Sequence, residues 1–250
     1  MIKTNLSNRT QMPYNQSLIY GFTNPDVWYD FSMGYGGNVP IARDLTGNGN
    51  HGTLNNLSSS WLPSSHGGMM NLDNTTAYNP GAGKSIVLPT LSTNSYGWYS
   101  FIIGFELGNY SLQSGASIIV GAYNYSSHDW WFGLNGNGYF CLSRNGSTIA
   151  FNSQVPQIGR RYIVRLASDH VGYNVNIADN TGVTWGQSAL VGALASTAGN
   201  VGIGKYGNYV DNFLGNIKLG FFMYYSGDNA GNVYESAFYR YKLGIPYGNF

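Results

Sequence analysis

The chain has 250 residues, carries a formal net charge of +1 at pH 7, and only 9% of its residues are charged. This length suits one large domain with a substantial core, and the near-neutral charge without a basic run argues against nucleic acid as a partner. The single cysteine, Cys141, excludes an intrachain disulfide and a multi-cysteine metal site, and its apolar neighbours predict a buried, inert thiol.

The N-terminal region differs from the rest of the chain. Residues 1–16 are polar and lack the apolar core of a signal peptide. Residues 1–25 show no periodic apolar pattern, so we read them as an N-terminal arm that either docks onto a neighbouring molecule or is a free terminus. No apolar run in the sequence approaches the roughly 20 residues of a transmembrane helix, and we therefore expect no membrane insertion.

A glycine-rich turn is predicted at residues 44–54, with the sequence Asp-Leu-Thr-Gly-Asn-Gly-Asn-His-Gly-Thr-Leu. Glycine and asparagine readily adopt the left-handed backbone conformations that a tight compound turn needs. Asp44, Thr46 and Asn48 place oxygen atoms at positions 1, 3 and 5 of a calcium-loop pattern, although position 12 is Asn55 and not glutamate. Two interpretations stay open: a weak calcium site, or a structural turn in which Asp44 caps backbone N–H groups.

Strands are predicted along most of the remaining chain. Residues 98–107 alternate apolar and polar side chains with a period of two, which indicates a half-buried strand with Tyr99, Phe101, Ile103 and Phe105 on its buried face. In residues 215–226 the same reasoning puts five apolar side chains on one face: Ile217, Leu219, Phe221, Met223 and Tyr225. Further strands are predicted at residues 27–31, 67–73, 85–89, 117–122, 162–166, 173–177 and 200–204.

Two Asn-Gly pairs stand between aromatic and aliphatic runs in residues 130–151, at Asn135-Gly136 and Asn145-Gly146. Asn-Gly is the preferred pair in type I′ hairpin turns, so this region is predicted to form a three-strand antiparallel meander. One short helix is expected, at residues 232–241. Many short strands with frequent turns predict an all-β, two-sheet antiparallel sandwich.

Several short motifs follow one another in a recognisable order. Residues 28–31 (Trp-Tyr-Asp-Phe) precede the turn at residues 44–54, and residues 157–162 (Gln-Ile-Gly-Arg-Arg-Tyr) stand where a Leu-Gly-x-Trp motif is usual. Residues 201–204 (Val-Gly-Ile-Gly) and residues 213–217 (Phe-Leu-Gly-Asn-Ile) complete the series. In this order the chain resembles the concanavalin A-like lectin/glucanase superfamily, in particular the laminin G/pentraxin-type jelly-roll domain.

The resemblance covers roughly residues 26–245 and implies a two-sheet jelly-roll sandwich. We accordingly assign residues 1–25 to the arm and residues 26–250 to the jelly-roll domain, which would include the short C-terminal helix. One departure is at residues 176–182 (Asn-Ile-Ala-Asp-Asn-Thr-Gly), where the family has a Tyr-x-Asp-Gly hairpin corner. Any binding role of that corner is therefore not carried over to this chain.

The acidic residues do not fit catalysis. Glycosidases with this architecture resemble one another in a Glu-x-Asp-x-x-Glu strand, because two carboxylates must flank the glycosidic bond. This chain has only two glutamates, Glu106 and Glu235, which are far apart in sequence. The four histidines show no metal-ligand spacing, and no Gly-x-Ser-x-Gly motif occurs. We therefore expect no enzyme and no cofactor, with calcium as the one candidate ion.

Residues 123–131 form an aromatic and polar segment, Tyr-Asn-Tyr-Ser-Ser-His-Asp-Trp-Trp. Sugars stack on aromatic faces while amides and carboxylates hydrogen-bond their hydroxyl groups. The candidate glycan contacts are Tyr123, Tyr125, His128, Asp129 and Trp130. Because Trp130 and Trp131 enter a predicted strand, at least one of them must face the core, and core packing is the competing interpretation.

These features together predict a non-enzymatic structural protein on the outside of a virus particle, such as a phage decoration, fibre or tail component. The alternative is a secreted or cell-surface lectin-like carbohydrate-binding module whose export signal is missing from this sequence. Expected partners are other virion proteins or further copies of the chain, together with a host-surface glycan. Tyrosine is enriched where proteins dock, so the tyrosine-rich termini are predicted to make assembly contacts, unless the C-terminal tail packs on its own sandwich. The predicted contacts are Tyr14, Tyr20, Phe22, Tyr241 and Tyr247.

Overall fold

A computed structural model describes the strands of the domain and many of their connections. The described residues are 25–31, 41–57, 61–64, 67–72, 74, 83–91, 99–109, 116–123, 130–144, 147–151, 155–168, 172–181, 183–189, 200–205 and 216–227. Within these ranges all regular secondary structure is β, which confirms the predicted fold class. The expected helix at residues 232–241 and the arm up to residue 24 lie outside them, so the division into arm and domain stays a prediction.

Sixteen strands form two sheets. They are β1 (Val27–Asp30), β2 (Ile41–Ala42), β3 (Gly52–Asn55), β4 (Trp61–Ser64), β5 (Gly67–Leu72), β6 (Ser85–Val87), β7 (Tyr99–Leu107), β8 (Ala116–Tyr123), β9 (Trp130–Asn135), β10 (Phe140–Arg144), β11 (Ser147–Ala150), β12 (Arg161–Ser168), β13 (Tyr173–Asp179), β14 (Thr184–Ala189), β15 (Asn200–Ile203) and β16 (Ile217–Tyr225). The first sheet has the order β14-β13-β12-β7-β16-β5-β4, with β1 also paired to β16. The second has the order β11-β10-β9-β8-β15-β6-β3-β2, and the strand pairs are antiparallel.

The core between the two sheets is rich in aromatic rings. Trp130 of the second sheet stacks on Tyr99 and Phe101 of the first, with ring centroids 6.1 and 5.7 Å apart. Farther along the sandwich, Phe140 meets Phe105 and Tyr162 edge-on. Aromatic pairs in these arrangements add stabilisation beyond the area they bury, which makes this layer the rigid centre of the fold.

The strand β7 is buried on both faces. Its predicted inner face is confirmed, since Tyr99, Phe101, Ile103 and Phe105 all belong to the core between the sheets. The prediction of a half-buried strand is wrong, because Ser100 and Ile102 on the opposite face are also inaccessible to solvent. Glu106 alone in this strand is partly exposed. The outer face of the first sheet is therefore covered along most of β7.

A β-bulge in β16 changes which side chains face the core. The pairing of β16 with β7 shifts its register between Leu219 and Phe221. A bulge adds one residue and so reverses the alternation beyond it. Ile217 and Leu219 point into the core as predicted, but after the bulge Phe222 and Tyr224 take that role. The prediction for Phe221, Met223 and Tyr225 is wrong, because these three lie on the outer face.

The predicted meander is confirmed by the consecutive pairs β9–β10 and β10–β11. Arg144 pairs with Ser147, which leaves the two residues of the predicted Asn145-Gly146 turn between them. The predicted type I′ turn at Asn135-Gly136 is wrong: the connection is longer, and the glycine with positive φ is Gly138, at 79°. Asn135 holds this wider loop together, because its Oδ1 accepts hydrogen bonds from the N–H groups of Asn137 and Tyr139.

Two further expectations concern Cys141 and the membrane. Cys141 is buried in β10, and this burial raises the pKa of its thiol to about 12, as expected of an inert core cysteine. In the part of the chain that the structure describes, no helix has the length and apolar character to cross a membrane.

Candidate functional site

Strand registers bring the two sequence-predicted binding regions to the same end of the second sheet. Tyr123, where β8 ends, pairs with Asn200 of β15. Farther along, Gly202 of β15 pairs with Val87 of β6, which in turn pairs with Thr53 of β3. The start of β3, directly after the Asp44 turn, therefore lies at the same end as Tyr123. Three strand spacings, or about 14 Å, separate the two regions within the sheet. We call this end of the sandwich the loop end.

The described chain also enters and leaves the sandwich at the loop end. Tyr99, which begins β7, stacks on Trp130, which begins β9. Ser226 follows the last strand, and its backbone N–H donates to the carboxylate of Asp26, just before the first strand, at 2.5 Å. The N–H of Asp26 donates in turn to the carbonyl of Tyr224. The two ends of the described chain are thus joined directly.

The carboxylate of Asp44 organises the glycine-rich turn. Asp44 is only 4% exposed, and its Oδ1 accepts hydrogen bonds from the backbone N–H groups of Trp28 and Thr46, both at 3.1 Å. Its Oδ2 accepts from the N–H of Asn50 at 3.0 Å, and the Thr46 hydroxyl lies within 2.9 Å of both oxygens. Nδ1 of His51 accepts from the N–H of Asp44 itself. One buried carboxylate therefore satisfies donors from the turn and from β1.

Asparagine side chains fix the outer part of this turn to the start of β1. The Nδ2 groups of Asn48 and Asn50 both donate to the carbonyl of Asp26, at 3.1 and 2.9 Å. The turn can approach so closely because Gly47 and Gly49 have φ values of 87° and 78°, in the left-handed region that glycine adopts without steric cost. This also confirms the expected conformation of a tight glycine and asparagine turn.

The calcium hypothesis for Asp44, Thr46 and Asn48 stays a prediction, but their contacts favour the structural interpretation. Hydrogen-bond donors surround both oxygens of Asp44, and a cation would have to displace several of them. Calcium also takes six to eight oxygen ligands, and here the Asn48 amide is turned toward the Asp26 carbonyl as a donor. Among the described residues, no group of three or more His, Cys, Asp or Glu side chains is arranged for a metal ion.

The predicted glycan segment at residues 123–131 is described only at its two ends. Tyr123 ends β8, while Tyr125, His128 and Asp129 lie outside the described residues. Trp130 is 0% exposed and stacks in the core, so its assignment as a glycan contact is corrected: its ring has no free face for a sugar. The competing interpretation, core packing, holds for Trp130.

A second turn of the same type as the Asp44 turn occurs in the β13–β14 hairpin. The sequence Asp-x-Thr-Gly is found at both places, and Oδ1 of Asp179 accepts from the N–H and the hydroxyl of Thr181, as Asp44 does with its own threonine. Arg160 adds a salt bridge at 2.7 Å. Burial alone would raise the pKa of Asp179, but the hydrogen bonds from Thr181, Arg160 and Val183 outweigh it and hold that pKa below its ordinary value.

Sequence reasoning missed a polar surface on the outer face of the first sheet, at the end opposite the loop end. One cross-strand row there consists of Arg161, Glu106 and Lys218, all partly exposed, with Glu106 and Lys218 in a 2.5 Å salt bridge. Farther toward the loop end, on β12 and β13, Nη1 of Arg165 donates to the side-chain oxygens of Asn174 and Asn176. Polar residues alternate along β12 and β13 in the sequence and could have indicated this surface. The strand register is needed to show that they lie next to one another.

Four of the described carboxylates stabilise the fold through hydrogen bonds or a salt bridge. Asp44 and Asp179 are enclosed in turns, Glu106 pairs with Lys218, and Asp26 accepts from a backbone N–H. In these contacts the four residues act as structural anchors.

Comparisons with known proteins agree with this architecture. No protein-family model matches the sequence, and no curated protein is significantly similar to it. Among solved structures, the botulinum neurotoxin serotype G binding domain matches with a TM-score of 0.53 and 13% identity, over 86% of this chain and 51% of that one. Domain 4 of an extracellular arabinanase from Geobacillus stearothermophilus, in complex with arabinotriose, matches with a TM-score of 0.53 and 16% identity, over 82% and 93%. The Trypanosoma rangeli sialidase matches with a TM-score of 0.59 and 10% identity, over 88% and 33%.

These likenesses show the fold. At such identities they show a β-sandwich fold and nothing further. The chain spans about half the length of the toxin binding domain and a third of the sialidase chain. The arabinanase domain is different in this respect, because nearly all of it corresponds to the present sandwich.

Proposed function

We propose that this chain is a non-enzymatic, lectin-like carbohydrate-binding module located on the outside of a virus particle, as a phage decoration, fibre or tail component. The observation that supports carbohydrate binding best is the match to the arabinanase domain. That domain was solved with arabinotriose, and 93% of it corresponds to this sandwich. The sialidase, by contrast, is an enzyme of which only 33% corresponds.

The loop end is the part of the sandwich best suited to hold the glycan. The apolar part of the outer face of the first sheet is buried and offers no ring for stacking, whereas the connection between β8 and β9 is rich in aromatic and polar residues. The segment between β8 and β9 supplies Tyr125, His128 and Asp129, and Tyr123 stands at its base. A ring for stacking and polar groups for the hydroxyls are the combination that saccharides require. Trp130, which follows this segment in sequence, is fixed by stacking in the core.

Glycan binding is tested on an array of plant, bacterial and animal oligosaccharides with the full-length chain. Tyr125→Ala should abolish any signal that the wild type gives, while the melting temperature stays unchanged. Tyr139→Ala is the matched control, since Tyr139 lies in the β9–β10 loop, at the other end of β9. Equal binding by wild type and Tyr125→Ala would refute this site, and absence of any glycan signal would refute the lectin function.

The particle setting rests on the arm. Its tyrosine-rich segment, with Tyr14, Tyr20 and Phe22, offers side chains of the type enriched at protein interfaces. The Asp26 contacts anchor the chain directly after this arm, so the arm can extend from a fixed point. Deletion of residues 1–22 should abolish co-sedimentation with particles and leave the melting temperature unchanged. Recovery of the intact chain only as a free secreted monomer would favour the alternative, a secreted lectin-like module.

A further inference from the structure

The outer face of the first sheet carries a second apolar surface that the core between the sheets does not explain. Three neighbouring cross-strand rows run over β12, β7, β16 and β1, and their outward apolar side chains are at most 6% exposed, whereas Arg165 and Asp30 in the same rows are partly exposed. The members are Trp28, Ile102, Ile163, Ala167, Phe221, Met223 and Tyr225. We call this set the outer apolar face.

Partly exposed polar residues surround the outer apolar face. In the next row along the same strands, Arg161, Glu106 and Lys218 are all partly exposed. The buried rows extend about 14 Å along β7, from Ser100 to Gly104, and about 14 Å across the four strands. The burial of these seven apolar side chains requires a covering segment. The described strands cannot supply it, because each of the sixteen belongs to one of the two sheets.

The chain leaving β16 is directed onto this face. After Tyr225, the N–H of Gly227 donates back to the Tyr225 carbonyl, and Gly227 has a φ of 139°, which turns the chain. The carbonyl of Gly227 then accepts a hydrogen bond from the hydroxyl of Ser100 at 2.6 Å. Ser100 is completely buried, and it lies on the outward side of β7, in the row of Ala167 and Tyr225. The last described residue is thus tied to the edge of the outer apolar face.

We infer that residues 228–250 dock on the outer apolar face of their own chain and form a third layer of the domain. The sequence of this tail fits the role. Tyr234, Ala237, Phe238 and Tyr241 are spaced i, i+3, i+4 and i+7, which places them on one face of a helix. A helix over residues 232–241 would be about 15 Å long, the length of the apolar rows.

The N-terminal arm fits the same face less well. Residues 1–24 have no periodic apolar pattern. The arm adjoins Asp26 at the outer edge of β1, whereas Gly227 is bound to Ser100 in the middle of the sheet. If the tail docks on its own chain, Tyr241 is not available for assembly contacts. Contacts with other molecules would then be made by the arm.

Trypsin cleavage of the folded, full-length chain tests this inference, because the tail carries its basic residues at Arg240 and Lys242. A docked tail should be cut at these two bonds at least about tenfold more slowly than the denatured chain, since cleavage requires local opening. Phe238→Ser, on the apolar face of the tail, should remove this protection and increase binding of the dye ANS. Tyr239→Ser is the matched control from the opposite side of the helix and should change neither.

Two further variants change the sandwich and leave the sequence of the tail unaltered. Ser100→Ala removes the hydroxyl that holds Gly227 and should speed cleavage at Arg240, while Ser85→Ala, a buried serine in the other sheet, should not. Unprotected bonds at Arg240 and Lys242 in the wild type would overturn the inference. ANS binding caused by deletion of residues 1–22 would overturn it in favour of the arm, and protection that is lost on dilution would overturn it in favour of the tail of a second copy.

Discussion

Replacement of Asp44 should destabilise the domain strongly, because one carboxylate serves donors from two parts of the chain. Asp44→Ala leaves the buried N–H of Trp28 without its acceptor, which costs about 1–3 kcal/mol. The N–H groups of Thr46 and Asn50 are partly accessible to water, and the loss of each bond costs about 0.5–1.5 kcal/mol. The sum is about 2–6 kcal/mol. For a domain of this size it corresponds to a fall in melting temperature of roughly 4–24 °C.

Asp44→Asn separates geometry from charge. The amide oxygen can take the place of Oδ1, which serves Trp28 and Thr46, but the amide nitrogen would face the N–H of Asn50 as a second donor. We therefore expect a loss of stability intermediate between wild type and Asp44→Ala, measured by urea unfolding with chelator present in all samples. Glu106→Gln is the control for removal of a carboxylate, since its partly exposed pair with Lys218 should contribute about 1 kcal/mol or less. A loss for Asp44→Ala as small as for Glu106→Gln would refute this account of the turn.

Three other predictions concern the turns. Gly49→Val should lower the free energy of unfolding by about 1–3 kcal/mol, and Gly49→Asn should lower it clearly less. The φ of Gly49 is 78° and an added Cβ meets no atom within 4 Å, so the loss comes from backbone conformation and not from a clash. Equal melting temperatures for both variants would contradict this. The stability that Asp179 contributes is present above the ordinary aspartate pKa of about 3.9 and is lost as the pH falls through the lower folded-state value. Asp179→Asn should therefore flatten the acid limb of the stability curve, and an unchanged limb would show that another group controls it. Calcium titration of chelator-treated protein should give no binding heat, and a saturable signal that disappears in Asp44→Asn would establish the calcium site.

The sequence predicted much of the sandwich, and the failures have identifiable physical causes. The sequence of β7 shows the alternation of apolar and polar residues between its two faces. Ile102, however, lies on the face predicted to be polar, and it belongs to a second buried surface. In β16 every residue from Phe221 to Tyr225 is aromatic or methionine. A reversal of the alternation at Gly220 therefore leaves no trace in the hydrophobic pattern, and only the pairing register reveals the bulge.

The candidate site shows the same division between local and long-range information. The left-handed glycines and the capping role of Asp44 follow from the local sequence, and the structure places both in the turn. The bond from Trp28 to Asp44 and the contact of Asn48 with Asp26 join residues 16 and 22 positions apart, so they depend on how the strands pack. Trp130 was ambiguous for a related reason, because two adjacent tryptophans in a strand always point in opposite directions.

The direct joining of the two ends of the described chain has a mechanical consequence. β1 and β16 are antiparallel neighbours, with Val27 opposite Tyr224, so the chain enters and leaves at adjacent points. Hydrogen bonds between antiparallel strands are perpendicular to the strands. A force that pulls Asp26 away from Ser226 therefore acts along the hydrogen bonds between β1 and β16. These bonds break one after another, so the two strands separate at low force. A load on the arm alone would instead be transmitted through Asp26 to both β16 and the Asp44 turn, and its resistance would come from several bonds at once.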